Sequence, residues 1–192
     1  MKTVTAHLSS LGAYSQGKIV SAAKLAKETH DEYDARTWRQ RMHTDDKGRV
    51  FIPCTAFKNA LSEAAKYMSL QVPGKGKSTY TKHFEAGVLC TDNLTLNIKA
   101  DDVEGERLFV PADGKRGSGK RVWRIFPLIL NWSGEVTFHV IDETVLQESD
   151  EPGVTIFEKV LAGAGQFIGI GRFRPRNNGF YGRFSVDKIT IN

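Results

Sequence analysis

The sequence predicts an α+β fold, a βαββαβ core that carries two long insertions. Three observations lead there. Three stretches repeat apolar residues at the spacing of a helix face. Several others alternate, or are rich in β-branched residues, as strands do. Long polar, Gly-containing segments separate these elements.

In chain order, residues 3–11 (TVTAHLSSL) alternate and read as a strand. Residues 18–29 have helical spacing, with Ile19, Ala22, Ala23 and Ala26 on one side. Residues 49–52 (RVFI) form a short strand before Pro53. The clearest helix is 55–69, with Thr55 placed as its N-cap and Phe57, Leu61, Ala64 and Met68 recurring on one buried face. The polar section 71–86 reads as a loop. GVLCT (87–91) and LTLNIKA (94–100), joined through Asp92-Asn93, read as a hairpin. LFVPA (108–112) is extended, and the loop 113–121 leads into a strong strand, VWRIFPLILNW (122–132). Ser133-Gly134-Glu135 turns the chain into a second strong strand, 135–142.

Residues 154–165 read as a helix with Phe157, Val160 and Leu161 inward, stopping at Gly163 or Gly165. GQFIGIGRF (165–173) and YGRFSVDKITI (181–191) are final strands on either side of a turn. The strongest elements are 3–11, 55–69, 122–132, 135–142, 154–163 and 165–173 or 181–191. Their order is the split βαβ, or ferredoxin-like, unit. Insertions of 12–53 and 71–121 decorate it within one domain, 1–192. With helices on one face of the sheet, the other face is available as a binding platform.

Composition narrows the function. Hydrophobic residues make up 40% of the 192 and charged residues 26%, an ordinary globular balance. No run approaches the ~18 apolar residues of a membrane span, and the first residues lack the apolar core of a signal peptide. Cys54 and Cys90 lie far apart, which excludes a disulfide scaffold and a zinc ribbon and points to the cytoplasm.

The formal net charge is only +5, but its distribution is uneven. Seventeen of the 27 basic residues fall in four acid-poor segments, 36–49, 73–83, 114–124 and 166–183. Acids collect elsewhere, at 101–106 and 142–151. Lys and Arg in Gly-rich loops can follow a phosphate backbone while nearby aromatics stack on bases. The candidate phosphate contacts are Arg36, Arg39, Arg41, Lys75, Lys77, Lys82, Lys115, Arg116, Lys120, Arg121, Arg172, Arg174, Arg176 and Arg183. Trp38 and Tyr181 are candidates for stacking, with Tyr14, Tyr33, Tyr80, Phe84 and Phe180 close to the same segments. Trp123, Phe126 and Trp132 belong to an apolar strand and are assigned to the core or a protomer interface.

The run GAGQFIGIGRFRPRNNGFYGRF (163–184) has glycines at 163, 165, 169, 171, 179 and 182. Glycine lets a backbone approach phosphates closely, and exposed N–H groups form an anion nest. Equally, the glycines fit a twisted hairpin that needs bulges and close neighbours. Lys58, near a helix N-terminus, opposes the helix dipole, and a bound phosphate would use both the ammonium and the helix end.

The piece IPCTAFKNALSEAA (52–65) resembles the I-P-small-small-hydrophobic-Lys-Gly-Ala-hydrophobic-Arg segment of the RAMP superfamily, which includes CRISPR effector backbone subunits. Lys58, Ala60 and Leu61 match, while Asn59 and Ser62 depart from the pattern. The 169–184 run looks like that superfamily's C-terminal Gly-rich segment. The resemblance implies an RRM/ferredoxin-like palm with inserted lobes, and single-stranded nucleic acid held along its backbone by many protomers side by side.

The expected function is therefore non-enzymatic binding of single-stranded RNA or DNA by a homo-oligomer, without cofactor, metal or membrane. Five scattered histidines show no metal or catalytic spacing. Two alternatives remain: a metal-independent endoribonuclease using His30, Tyr33 and Lys58, and an assembly protein that pairs with an acidic partner.

Overall fold

A computed structural model describes residues 1–114, 117 and 119–192. Its central sheet has four antiparallel strands in the order β3-β7-β1-β8, formed by β1 (Lys2–Ser10), β3 (Val88–Cys90), β7 (Ser133–Val140) and β8 (Phe184–Ile191). Helices α2 (Cys54–Met68) and α4 (Ile156–Gly163) complete the path β1-α2-β3-β7-α4-β8. The fold is α+β with the βαββαβ order and strand arrangement of the ferredoxin-like unit.

Alternation explains the sheet. Val4, Ala6 and Leu8 are fully buried on one face of β1, matched by Val136, Phe138 and Val140 of β7. The two helices cover this face: Phe57 of α2 meets Phe184, and Phe157 of α4 meets Phe138. Phe57, Leu61 and Ala64 are buried as their spacing requires, and so are Phe157, Val160 and Leu161. The N-cap of α2 is Pro53 rather than Thr55, and the free first-turn N–H of Cys54 donates to Asn93 Oδ1 at 3.0 Å.

Several expectations from the sequence are corrected. The second strand of the core is the three-residue β3, not 122–132. That strong apolar strand, β6 (Arg121–Leu128), pairs with β5 (Glu104–Pro111) in a separate hairpin. Apolar pattern predicts a strand but not its partner, which the connections and the face to be buried select. The long second insertion therefore follows β3 instead of preceding it.

Residues 87–100 do not form a hairpin, because β3 pairs with β7 while β4 (Leu94–Lys99) pairs with β2 (Arg49–Ile52). Residues 18–29 form no helix. Ile19 is 89% exposed, so the apolar side has nothing to pack on, and a short unpacked helix is marginal in water. The helix in this insertion is α1 (His30–Thr37), started by a capping box between Thr29 and Glu32. The polar section 71–86 is not all loop, since α3 (Thr81–Gly87) lies at its end.

The Gly-rich run is not a hairpin either. The chain passes Gly163 in right-handed conformation, makes a π turn over Ala164–Ile168 and stops at Gly169, with φ 69°. A loop over 169–183 then leads to β8. At Gly165 and Gly182 a Cβ would collide with the Phe184 and Ile170 carbonyl oxygens, so both glycines serve close backbone packing.

Candidate nucleic-acid interface

The open face of the sheet carries Thr3, Thr5, His7, Ser9, Glu135, Thr137 and His139, with Leu89 and Lys188 in register beside them. Among the described residues in this register there is no Phe, Tyr or Trp, so the face lacks the rings of an aromatic stacking platform.

Basic and aromatic side chains converge elsewhere. Segment 13–18 threads between the end of β6 and the 169–183 loop. Tyr14 bridges to Ile129, Gly182 N–H donates to the Ala13 carbonyl, and Arg172 N–H donates to that of Ser15 at 2.9 Å. This threading opens a cleft of about 540 Å³ lined by Lys18, Tyr33, Arg41, Arg124, Phe126, Arg172 and Phe173. A second recess, about 950 Å³, shares Val110, Pro111, Gly114, Arg172 and Phe173 with it and continues to Phe109, Arg121 and Arg176. The two form one groove between the β5–β6 hairpin and the 169–183 loop.

Arg172 is the centre of the groove. Its Cζ lies over the Phe126 ring, 3.1 Å from the centroid, and 4.7 Å from that of Phe173. Its Nη1 is buried without a hydrogen-bond partner among the described residues. Burial, and then the neighbouring Arg41 charge, push its pKa down to about 10, with Arg124 adding to the effect and Glu106 opposing it. It is thus still a cation at neutral pH, held among like charges. Arg41 is fixed by a buried ion pair to Asp34 (2.6 Å) and a bond from its Nη1 to the Ile125 carbonyl (2.8 Å). Arg124 donates to the Ala112 carbonyl at 2.9 Å. Glu106 accepts from the Tyr181 hydroxyl at 2.9 Å through Oε1, while its buried Oε2 has no partner among the described residues.

The other predicted positions are distributed differently. Arg121 and Arg176 line the far end of the groove. Lys120 is exposed just before β6, and Lys115 and Arg116 lie outside the described residues. Trp38 is buried in the core with Arg39 over its ring at 4.3 Å. Arg36 pairs with Glu28 at 2.7 Å, and Arg174 pairs with Glu63 at 2.7 Å. Lys58 Nζ donates to the Phe84 and Glu85 carbonyls (2.5 and 3.0 Å) near the end of α3, where a helix dipole favours a cation. Burial holds the Lys58 ammonium below its ordinary pKa.

Lys75, Lys77 and Lys82 are exposed around the 72–78 turn and α3, and Arg183 is half-buried ahead of β8. Tyr14, Tyr80 and Phe84 are core residues. The Tyr33 hydroxyl donates to the Ala22 carbonyl at 2.8 Å, so Tyr33 and Lys58 are both engaged with backbone carbonyls.

Lys18, Phe109, Arg124 and Phe126 are groove residues absent from the sequence-derived set. Lys18 stands alone in its segment, and Phe126 sits in an apolar strand. Only Arg124 carried a signal, as a member of the acid-poor segment 114–124.

No family model matches the chain, and no curated protein does. Among solved structures it is similar to a chain of the Type III-B Cmr-beta bound to cognate target RNA, with a TM-score of 0.49 and 12% identity over 99% of this chain. This protein spans 60% of the length of that chain. It is also similar to Cmr6 from Pyrococcus furiosus, with a TM-score of 0.45 and 12% identity over 97% of this chain and 99% of that one.

Proposed function

We propose that this protein binds single-stranded RNA or DNA without reacting with it, seating the phosphate backbone in the groove centred on Arg172. The observation that carries this reading is the convergence of Arg41, Arg124 and Arg172 around Phe126 on the wall of one groove. A phosphate oxygen in the groove would take charge-assisted bonds from the guanidinium groups that line it. The same anion would relieve the mutual repulsion of the three guanidinium groups.

Phe173 and Phe109 are 39% and 48% exposed beside these cations. Each offers a ring on which an unpaired base can stack, worth about 1–3 kcal/mol per base. Bases in a duplex are already stacked on each other, which favours a single strand. The resemblance of 52–65 and 169–184 to RAMP segments supports the same reading. Side-by-side protomers would extend the basic groove along one strand.

Anisotropy titrations with labelled single-stranded and duplex oligomers over a range of salt test it. The expected result is tighter binding of the single strand, with log affinity falling linearly against log salt. Absence of binding at low salt, or equal affinity for duplex, would overturn it.

A further inference from the structure

The central sheet ends at β8, which among the described residues pairs with β1 and with no other strand. β8 is eight residues long, FSVDKITI, and its ladder with β1 contains one extra residue, Asp187, between His7↔Lys188 and Leu8↔Val186. That bulge puts Asp187 and Lys188 on the same, open face. Asp187 accepts there from Ser9 Oγ at 2.5 Å and lies 3.2 Å from His7 Nδ1, while Lys188 stands opposite His7. Both are exposed, and Lys188 forms no ion pair among the described residues. On the helix side, a groove of about 540 Å³ runs along the strand, where Met68, Phe167, Val186 and Ile189 form an apolar stretch beside the charged Glu151, Glu158 and Lys159. Phe167 is 48% exposed and Ile191 41%.

We infer that β8 is the contact edge of a two-fold dimer in which β8 of one copy adds antiparallel to β8 of another. In this register Asp187 faces Lys188 of the other copy, on both sides of the axis. Every other pair matches in face as well. Val186 meets Ile189 on the helix side, and Ser185 meets Thr190 on the open side, as their positions opposite Leu8, Ala6, Ser9 and Thr5 require. Shifting the register by one residue either way sets Asp187 against Asp187 or Lys188 against Lys188, and puts apolar residues against polar ones. Opposite charges directly across a ladder stabilise it and like charges destabilise it, so the strand specifies one register with itself. The result is an eight-stranded sheet in which the Val186 and Ile189 side chains of the two copies meet at the axis.

A lone Lys and a bulge are also devices that keep an edge strand from pairing. What distinguishes β8 is that the bulge places the matching Asp beside the Lys on the same face. The inference rests on β8 alone and is independent of the nucleic-acid reading.

Sedimentation of the nuclease-treated full chain over a wide concentration range tests it. The expected result is a monomer–dimer equilibrium whose dissociation constant rises about tenfold or more in Lys188→Asp, which sets Asp against Asp. Asp187→Lys with Lys188→Asp restores the pairing if it folds, as thermal melting would show. Independently of that variant, Val186→Cys with Ile189→Cys should oxidise to a covalent dimer, while either single variant should not. A monomer at every concentration, or a Lys188→Asp dimer as tight as the parent, would overturn the inference and identify the bulge as an edge guard.

Discussion

The Arg172 guanidinium lies over the Phe126 ring, its Cζ 3.1 Å from the centroid, in a groove that also holds Arg41 and Arg124. A desolvated cation over an aromatic face gains roughly 2 kcal/mol, which offsets part of the repulsion from its two neighbours. The ring therefore holds a charged donor in place at the groove wall.

Removing that donor is the most direct test of the groove. Arg172→Ala should weaken single-strand binding roughly tenfold across unrelated sequences and reduce the salt slope by about one. Arg172→Lys should recover only part of the loss, because an ammonium has no planar fork to lie over Phe126. Anisotropy titrations at several salt concentrations give both numbers. An unchanged slope in Arg172→Ala would remove this residue from the phosphate path.

Glu106 is the carboxylate that opposes the neighbouring cations at Arg172. Glu106→Gln removes its charge while keeping an acceptor for the Tyr181 hydroxyl, and should tighten anion binding. Burial, with the Glu106 hydrogen bond and charge, also holds the Tyr181 phenol above its ordinary pKa. Ultraviolet titration should therefore show that tyrosine ionising at lower pH in the variant. Weaker binding in Glu106→Gln would mean that Glu106 orders the groove instead of competing within it.

Gly182→Ala separates packing from phosphate binding in the Gly-rich run. Gly182 has φ 66° and its added Cβ would meet the Ile170 carbonyl, so the substitution should cost about 1–3 kcal/mol or more. Chemical denaturation measures this. Oligonucleotide affinity of the folded variant should stay close to that of the parent, and a selective loss of affinity without loss of stability would restore the anion-nest reading.

Asp142 carries an acid-dependent share of stability. Hydrogen bonds from Thr144 and His83 hold its carboxyl below the usual 3.8. A depressed carboxylate stabilises the fold fully above its unfolded pKa and loses that contribution as pH falls through the lower folded value. Asp142→Asn should therefore melt at a lower temperature than the parent at neutral pH, with the gap closing below about pH 4. A gap that stays constant down to the acid limit would assign the effect to packing of Asp142 against Gly87.

The α+β class and βαββαβ order were legible because period and length carry them: β1, α2, β7, α4 and β8 all show their buried faces in the sequence. The strand β3 was legible as a strand but not as a member of the central sheet. Three residues hold no register signal, and the stronger apolar run at 122–132 competed for the place. The uneven charge was legible too, and it led to Arg41, Arg121, Arg172 and Arg176 in one groove.

Which cations stay available was decided only in three dimensions. Arg36, Lys58 and Arg174 are as basic in sequence as Arg172, yet each is occupied by a carboxylate or carbonyl that the fold brings to it. Composition and period describe what a segment needs to bury. Whether a charged donor ends with a partner depends on residues far away along the chain, and for Arg172 these are Ser15, Arg41, Glu106 and Phe126.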